Sequence, residues 1–86
     1  MNIVIYSKND CPYCDKARAL LKNYNKSFNE LKLNVDFTRE EILELFPNAK
    51  TFPIIVVDGS YIGGYSQLTA LAENDIRFLG QVQING

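Results

Sequence analysis

The chain has 86 residues, of which 47% are hydrophobic and 22% charged, with a formal net charge of −1 at pH 7. This length and composition fit one small globular domain, residues 1–86, without room for a second. Lys and Arg form no basic stripe, which argues against nucleic acid and anionic membranes as partners.

The first predicted element is a buried strand at Ile3–Tyr6, an apolar run rich in β-branched residues. It has no basic lead-in and is too short for a signal peptide or a membrane anchor. We therefore expect a cytoplasmic protein. In that reducing compartment a closely spaced cysteine pair is more typically catalytic than structural.

The next predicted element is a helix from Pro12 to about Tyr24, where apolar residues recur at helical spacing. The two cysteines of the chain, Cys11 and Cys14, lie at its start. A thiol at a helix N-terminus faces unpaired backbone N–H groups, which stabilise the thiolate and lower the pKa of the thiol. The second cysteine lies about one turn further on, so the pair can form a reversible disulfide. The sequence therefore predicts a redox-active pair.

Three other interpretations of the cysteine pair are weaker. Structural zinc usually takes four ligands, and a chain with two Cys and no His supplies too few, so we expect no metal site. A disulfide across so short a spacer stabilises little, because it closes a very small loop. Inert core cysteines stay open as an interpretation, but they leave the Pro12-Tyr13 insert unexplained.

The residue pattern in the middle of the chain predicts a strand and a second helix. Extended character marks the strand at Ser27–Val35. The helix begins after Thr38, which has the spacing of a capping box with Glu41, and it ends at Pro47. We assign three residues to the buried face of this helix: Ile42, Leu45 and Phe46.

The C-terminal half predicts a β-hairpin. Asp58-Gly59 separates the apolar run Ile54–Val57 from Ser60–Ile62, and this dipeptide is a strong signal for a two-residue turn. The two runs should therefore pair as antiparallel strands.

The pair Gly63-Gly64 then breaks the second strand of the hairpin, and Ser66 is expected to cap a third helix. The buried face of this helix includes Leu68 and Leu71. Residues 75–86 form a tail whose pattern leaves its structure open. The order βαβαββα predicts an α/β domain with a thioredoxin-like fold, in which a four-stranded mixed sheet carries helices on both faces.

Three motifs together resemble the glutaredoxin family in order and spacing: Cys-Pro-Tyr-Cys at 11–14, Thr-Phe-Pro at 51–53 and Gly-Gly-Tyr at 63–65. The likeness spans residues 2 to about 73, and the build is similar to that of compact bacteriophage glutaredoxins. The resemblance implies a glutathione-dependent oxidoreductase that reduces protein–glutathione mixed disulfides and protein disulfides. Glutathione would be a co-substrate, with no tightly bound cofactor.

The resemblance also implies a role for each site residue. Cys11 is the exposed nucleophile, and Cys14 is the shielded resolving thiol. Pro53 matches a cis-proline that turns the backbone of Phe52 toward the nucleophile, where it would pair with glutathione. The implied glutathione-binding residues are Lys8, Tyr13, Arg39, Thr51, Phe52, Pro53, Gly64, Tyr65 and Ser66.

The resemblance assigns different contacts with glutathione to the charged and to the polar side chains. Lys8 and Arg39 would meet carboxylates of the ligand, although each has the alternative of an ordinary solvated side chain. Tyr65 and Ser66 would donate to the γ-glutamyl carboxylate at a helix N-terminus. Gln67 stands where many relatives carry Asp for the α-amine, and it can accept a hydrogen bond but offers no charge.

The implied partners are glutathione and disulfide-bearing or glutathionylated proteins, ribonucleotide reductase among them, and we expect a monomer. One rival is a thioredoxin-like reductant recharged by a flavoenzyme, although such proteins usually carry Gly-Pro between the cysteines. A second is an iron–sulfur carrier in which Cys11 and glutathione ligate a cluster between two subunits. The third is a binding module that docks a protein without chemistry.

Overall fold

The computed structural model of the chain describes residues 1–79. Its elements are β1 (Ile3–Ser7), α1 (Pro12–Asn23), β2 (Asn29–Lys32), α2 (Arg39–Leu45), β3 (Ile54–Val57), β4 (Ser60–Gly63), α3 (Tyr65–Asn74) and α4 (Ile76–Leu79). The expected βαβαββα order is confirmed, and α4 adds a short helix in the tail that the sequence left open. The rest of that tail, residues 80–86, lies outside the described residues.

The four strands form one mixed sheet in the order β2-β1-β3-β4. β1 runs parallel to β2, with Val4 beside Asn29 and Ser7 beside Lys32. β3 runs antiparallel to both β1 and β4. This is the predicted thioredoxin-like sheet. Since β1 leads directly into the loop before α1, the sheet sets the position of the cysteine pair.

The core has one hydrophobic cluster on each face of the sheet, because successive side chains of a strand point to opposite faces. β3 contributes to both clusters and is buried along its whole length, which explains its unbroken apolar sequence. The first cluster, against α1 and α3, comprises Ile3, Ile5, Ala17, Leu21, Ile55, Val57, Leu68, Ala72 and Phe78. The second, against α2, comprises Phe37, Ile42, Ile54 and Val56.

The second strand is shorter than the predicted Ser27–Val35, since it covers only Asn29–Lys32. Leu33 continues it as an isolated bridge, and Val35 is 75% exposed in the turn that follows. Asn34 has a φ of 66°, a left-handed backbone conformation in which the chain turns back and does not extend. The prediction of Val35 as part of the strand was therefore wrong.

The predicted capping box of α2 is confirmed. Thr38 Oγ1 accepts from the N–H of Glu41 at 3.2 Å, and Glu41 Oε1 accepts from the N–H of Thr38 at 2.8 Å. Ile42 is buried and Phe46 packs against the second cluster, but Leu45 is 60% exposed, so its assignment to the buried face was wrong. Ile42 and Phe46 lie four residues apart and therefore on the same side of α2, the side that packs against the second cluster. Leu45 lies outside that side.

Ser66 does not cap α3, contrary to the prediction. The helix begins at Tyr65, so Ser66 lies inside its first turn and Gly64 is the N-cap residue. The φ of Gly63 is 126°, which lets β4 turn into α3 through the single residue Gly64. Gln67 supplies the side-chain contact, because its Oε1 accepts from the Gly64 N–H at 2.9 Å.

The hairpin turn is tied to both the start and the end of the described chain. Asp58 and Gly59 have positive φ values of 50° and 83°, as a type I′ turn requires. The Asp58 carboxylate accepts from the Asn2 backbone N–H at 2.7 Å and from Arg77 Nη1 at 2.8 Å. Arg77 Nη2 also donates to Asp75 at 2.8 Å. The hydrogen bond from Asn2 lowers the pKa of Asp58, and that from the Arg77 side chain lowers the pKa of Asp75.

Acidification should weaken the fold through these two carboxylates. Because their folded-state pKa values lie below the unfolded value of about 3.9, the unfolded chain binds more protons and stability rises with pH there. We expect the melting temperature to hold above about pH 5 and to fall towards pH 3, with a smaller fall in Asp58→Asn. Asn also tolerates the positive φ of this turn. If the melting temperature measured by circular dichroism fell equally with pH in both proteins, Asp58 would not have this role.

Candidate active site

The start of α1 presents the sulfur of Cys11 to backbone N–H groups. Cys11 is the N-cap residue, with extended backbone angles, and its Sγ accepts from the N–H of Cys14 at 3.2 Å. Pro12 occupies the first helical position, where its missing N–H removes no helical hydrogen bond. Negative charge at this position is favoured by the free N–H groups and by the helix dipole. The geometry therefore stabilises a thiolate at Cys11.

The two cysteines form a disulfide, with their Cα atoms 5.2 Å apart. Cys11 retains 7% of its surface and is therefore buried, not exposed as the resemblance implied, and Cys14 is fully buried. An attack on an external disulfide needs an accessible sulfur, so Cys11 is the member of the pair able to make this attack. Cys14 lies close enough to attack Cys11 from inside the protein. This difference in exposure has the sense that the nucleophilic and resolving roles require.

One half of the groove beside the cysteines carries no charge; we call it the uncharged compartment. It has a volume of about 600 Å³, within the range of small-molecule sites. The Phe52–Pro53 peptide bond in its wall is cis, as the resemblance implied, and Pro53 is buried. The compartment is lined by Tyr13, Thr51, Phe52, Pro53, Tyr61, Ile62, Gly63, Gly64, Tyr65, Ser66 and Gln67.

The other half of the groove contains Cys11 and is rich in positive charge; we call it the cationic compartment. Its volume is about 350 Å³, and its charged side chains are Lys8, Arg39 and Lys50 against the single acid Asp10. Its remaining lining residues are Cys11, Pro12, Tyr13, Thr51 and Phe52. Tyr13, Thr51 and Phe52 border both compartments, so the two form one groove with charge at one end.

Two glycines allow α3 to begin against the loop of the cis peptide bond. A Cβ atom on Gly64 would lie 3.3 Å from the carbonyl oxygen of Pro53. A Cβ atom on Gly63 would lie 2.6 Å from Cγ of Gln67, and the φ of Gly63 also disfavours a side chain. The side chain of Gln67 therefore lies folded over Gly63, at the wall of the uncharged compartment.

An aromatic pair closes the groove between α1 and α3. The rings of Tyr13 and Tyr65 lie with their centroids 5.6 Å apart, and Lys16 Nζ lies 5.0 Å from the centroid of Tyr13. Tyr13 remains 54% exposed. Both rings can therefore cover an apolar stretch of a ligand that is joined to the neighbouring Cys11.

A polar network supports the cysteine loop from the sheet. The buried Ser7 at the end of β1 donates its hydroxyl to Glu30 Oε2 of β2 at 2.6 Å. Arg18 of α1 donates to the same carboxylate oxygen of Glu30 and also pairs with Asp15. The network joins β1, β2 and α1 around the loop that carries Cys11.

The structure brings the predicted site residues together around this groove. Lys8 and Arg39 lie in the cationic compartment with Cys11. Gly64, Tyr65 and Ser66 lie in the uncharged compartment with Pro53, while Tyr13, Thr51 and Phe52 border both. Cys14 lies buried behind Cys11 and lines neither compartment.

Sequence analysis missed Tyr61, Ile62 and Asp10 as lining residues. It treated Tyr61 and Ile62 only as part of a hairpin strand, although their position directly before Gly63-Gly64 was a usable signal. Among residues 1–79, no group of three or more Cys, His, Asp or Glu side chains could hold a metal ion. No helix within the same range is long and apolar enough to cross a membrane.

The family model and the curated relatives that match this chain indicate one family. The family model described as Glutaredoxin matches residues 3–62. Glutaredoxin 3 of Escherichia coli K12 is 39% identical over 70 residues, which cover 81% of this chain and 84% of that protein. The crystal structure of glutaredoxin 1 from Francisella tularensis, complexed with cacodylate, superposes with a TM-score of 0.76 at 26% identity, over 88% of this chain and 96% of that one. A buckwheat glutaredoxin–glutathione complex has a TM-score of 0.73 over 92% of this chain and 74% of that one, and its 19% identity shows the fold alone.

Proposed function

The chain belongs to the glutaredoxin family of thiol–disulfide oxidoreductases, and we propose that glutathione is its co-substrate in reducing protein–glutathione mixed disulfides and protein disulfides. The observation that carries this proposal is the position of Cys11. Cys11 is the less buried member of the pair, its sulfur caps α1, and the residue lines a groove with one cationic and one uncharged half.

In the first reaction, the Cys11 thiolate attacks the glutathione sulfur of a protein–glutathione mixed disulfide. The sulfur–sulfur bond of the substrate breaks, and the protein sulfur leaves as a thiolate that takes up a proton. A second glutathione thiolate then attacks the glutathione held on Cys11. This step releases glutathione disulfide and restores the Cys11 thiolate. Overall, one glutathione thiol is consumed and the protein sulfur is reduced to a thiol, because the other half of the glutathione disulfide comes from the substrate.

In the second reaction, the Cys11 thiolate attacks a protein disulfide and forms a mixed disulfide with one of its sulfurs. The thiol of Cys14 loses its proton and attacks the sulfur of Cys11 from inside. The second thiol of the substrate is released, and Cys11 and Cys14 are left joined, the arrangement that the structure contains. Two glutathione molecules reduce this internal disulfide in two exchange steps.

The groove fits a tripeptide thiol with a carboxylate at each end. Lys8, Arg39 and Lys50 supply positive charge for the glycine carboxylate, and the first turn of α3 supplies N–H groups for the γ-glutamyl carboxylate. The backbone of Phe52 would pair with the cysteine portion of the ligand. The buckwheat relative, which shares the fold, was solved as a complex with glutathione.

We further propose that the substrates are disulfide-bearing or glutathionylated proteins, with ribonucleotide reductase one of the candidates that the family suggests. A reducing compartment such as the cytoplasm suits this chemistry, because the glutathione pool there keeps a dithiol of this kind reduced.

The charged end of the groove offers a test of this function. We expect Lys8→Gln and Arg39→Gln each to raise the KM for a glutathionylated peptide about two- to fivefold, since a partly exposed ion pair with the ligand carboxylate is lost. Turnover at saturation should change less, because the contact exists in both ground and transition state. The measurement is NADPH consumption coupled through glutathione reductase.

Lys22→Gln is the matched control, because it removes the same charge in the last turn of α1, away from the groove. Its KM should equal that of the unaltered protein. If the protein turned over with thioredoxin reductase but not with glutathione, the proposal would be wrong and the thioredoxin-like alternative would replace it.

A further inference from the structure

Gln67 is one of the uncharged residues that line the uncharged compartment. This residue lies where α3 meets β4. A Gln at this position could present its carbonyl oxygen to a ligand, and a Glu of the same length could present a carboxylate. The Oε1 atom of Gln67 instead accepts from the N–H of Gly64 at 2.9 Å, and its Cγ lies against Gly63. The carbonyl oxygen of Gln67 is therefore engaged with the backbone of this protein.

The two compartments treat a charged ligand differently. Three cations and one acid line the half with Cys11, whereas no lining residue of the other half is charged. A carboxylate in the uncharged half is favoured by the N–H groups and positive dipole at the start of α3. An ammonium group in the same place has no carboxylate among the lining residues to pair with, so it adds no ion pair to the binding.

Building on the glutathione-dependent function proposed above, we propose that Gln67 makes this site indifferent to the ammonium group at the γ-glutamyl end of its ligand. The substrate class is then wider than zwitterionic glutathione. It includes anionic peptide thiols whose amino group is acylated, because binding depends on the carboxylates and on the sulfur.

Two mixed disulfides of one peptide test this inference, one carrying glutathione and the other N-acetylglutathione, each reduced with glutathione in excess. We expect the kcat/KM values of the two substrates to agree within about twofold. In Gln67→Glu the carboxylate can keep the hydrogen bond to Gly64 and add a negative charge. The preference for the glutathione substrate should then rise to about fivefold and shrink again at high salt.

Asn29→Asp is the matched control. It adds the same charge beside Val4, toward the end of β1 remote from Cys11, and the ratio of the two kcat/KM values should stay at its original value. A preference of more than about twofold for glutathione in the unaltered protein would overturn the inference. A ratio that Gln67→Glu does not move would overturn the role of Gln67.

Failure of the underlying function has a different signature. In that case neither mixed disulfide is turned over with glutathione, while the protein still reduces a peptide disulfide with dithiothreitol. That result would overturn the glutathione-dependent function and this inference together, whereas unequal use of two working substrates overturns the inference alone.

Discussion

Replacement of Cys11 by Ser should reduce both proposed reactions to below about 1% of the original rate, because a hydroxyl at this position supplies no thiolate at neutral pH. Cys14→Ser should retain reduction of a glutathionylated peptide within a few fold and lose reduction of a protein disulfide. The difference follows from the structure, since Cys11 reaches the groove and Cys14 is fully buried behind it.

Both variants are measured with the same two substrates, a glutathionylated peptide and an intact protein disulfide, under one concentration of glutathione. Ser at position 11 can still accept the N–H of residue 14 as an N-cap, so the fold should survive the change. Substantial turnover of the glutathionylated peptide by Cys11→Ser would show that the nucleophile has been assigned to the wrong sulfur.

Alkylation of the reduced protein provides an independent readout of the same assignment. Iodoacetamide should modify Cys11 first, and the rate should reach half its maximum below pH 8.5, the region where a free cysteine titrates. Mass spectrometry of the labelled peptides separates the two sites. Equal and slow labelling of Cys11 and Cys14 would contradict a stabilised thiolate and favour the interpretation as a binding module.

Phe78→Ala should destabilise the protein by about 3–5 kcal/mol, a large part of the 5–15 kcal/mol typical of a native domain. Phe78 is fully buried in the first cluster, and its ring packs edge-on against Tyr24 with centroids 5.6 Å apart. Lys26 Nζ also lies 5.2 Å from the centroid of the Phe78 ring. The short helix α4 therefore contributes to the core through this side chain.

Ile76→Ala is the control for this change, because Ile76 belongs to the same short helix but is 79% exposed. Its effect should stay within about 0.5 kcal/mol. Urea denaturation followed by circular dichroism measures both variants. If the two variants lost similar stability, the burial of Phe78 would not be the source of the loss.

Short-range sequence patterns were sufficient to predict most of the fold. The apolar run of β1, the capping box of Thr38 and Glu41, and the Asp58-Gly59 turn each depend on neighbours a few residues away. The cysteine spacing at the start of α1 is equally local. These features predicted the order of elements and the reactive pair correctly.

The errors of the sequence analysis arise where packing or a special backbone conformation overrides the pattern. The positive φ of Asn34 ends β2 early, and the short length of α2 leaves Leu45 outside the core. Because α3 begins at Tyr65 with Gly64 as its N-cap residue, Ser66 lies inside the helix and does not cap it. None of these outcomes can be read from residue type alone.

The sequence by itself determined the family, the order of the strands and helices, and the disulfide-capable pair Cys11 and Cys14, because these depend on residue identity and short spacings. Only the tertiary structure decided which half of the groove is charged, what Gln67 contacts, and that Phe78 belongs to the core. The physical reason is that each of these properties depends on residues distant in the chain, such as Lys8 and Arg39, which line one compartment because the folded sheet and its helices bring them together.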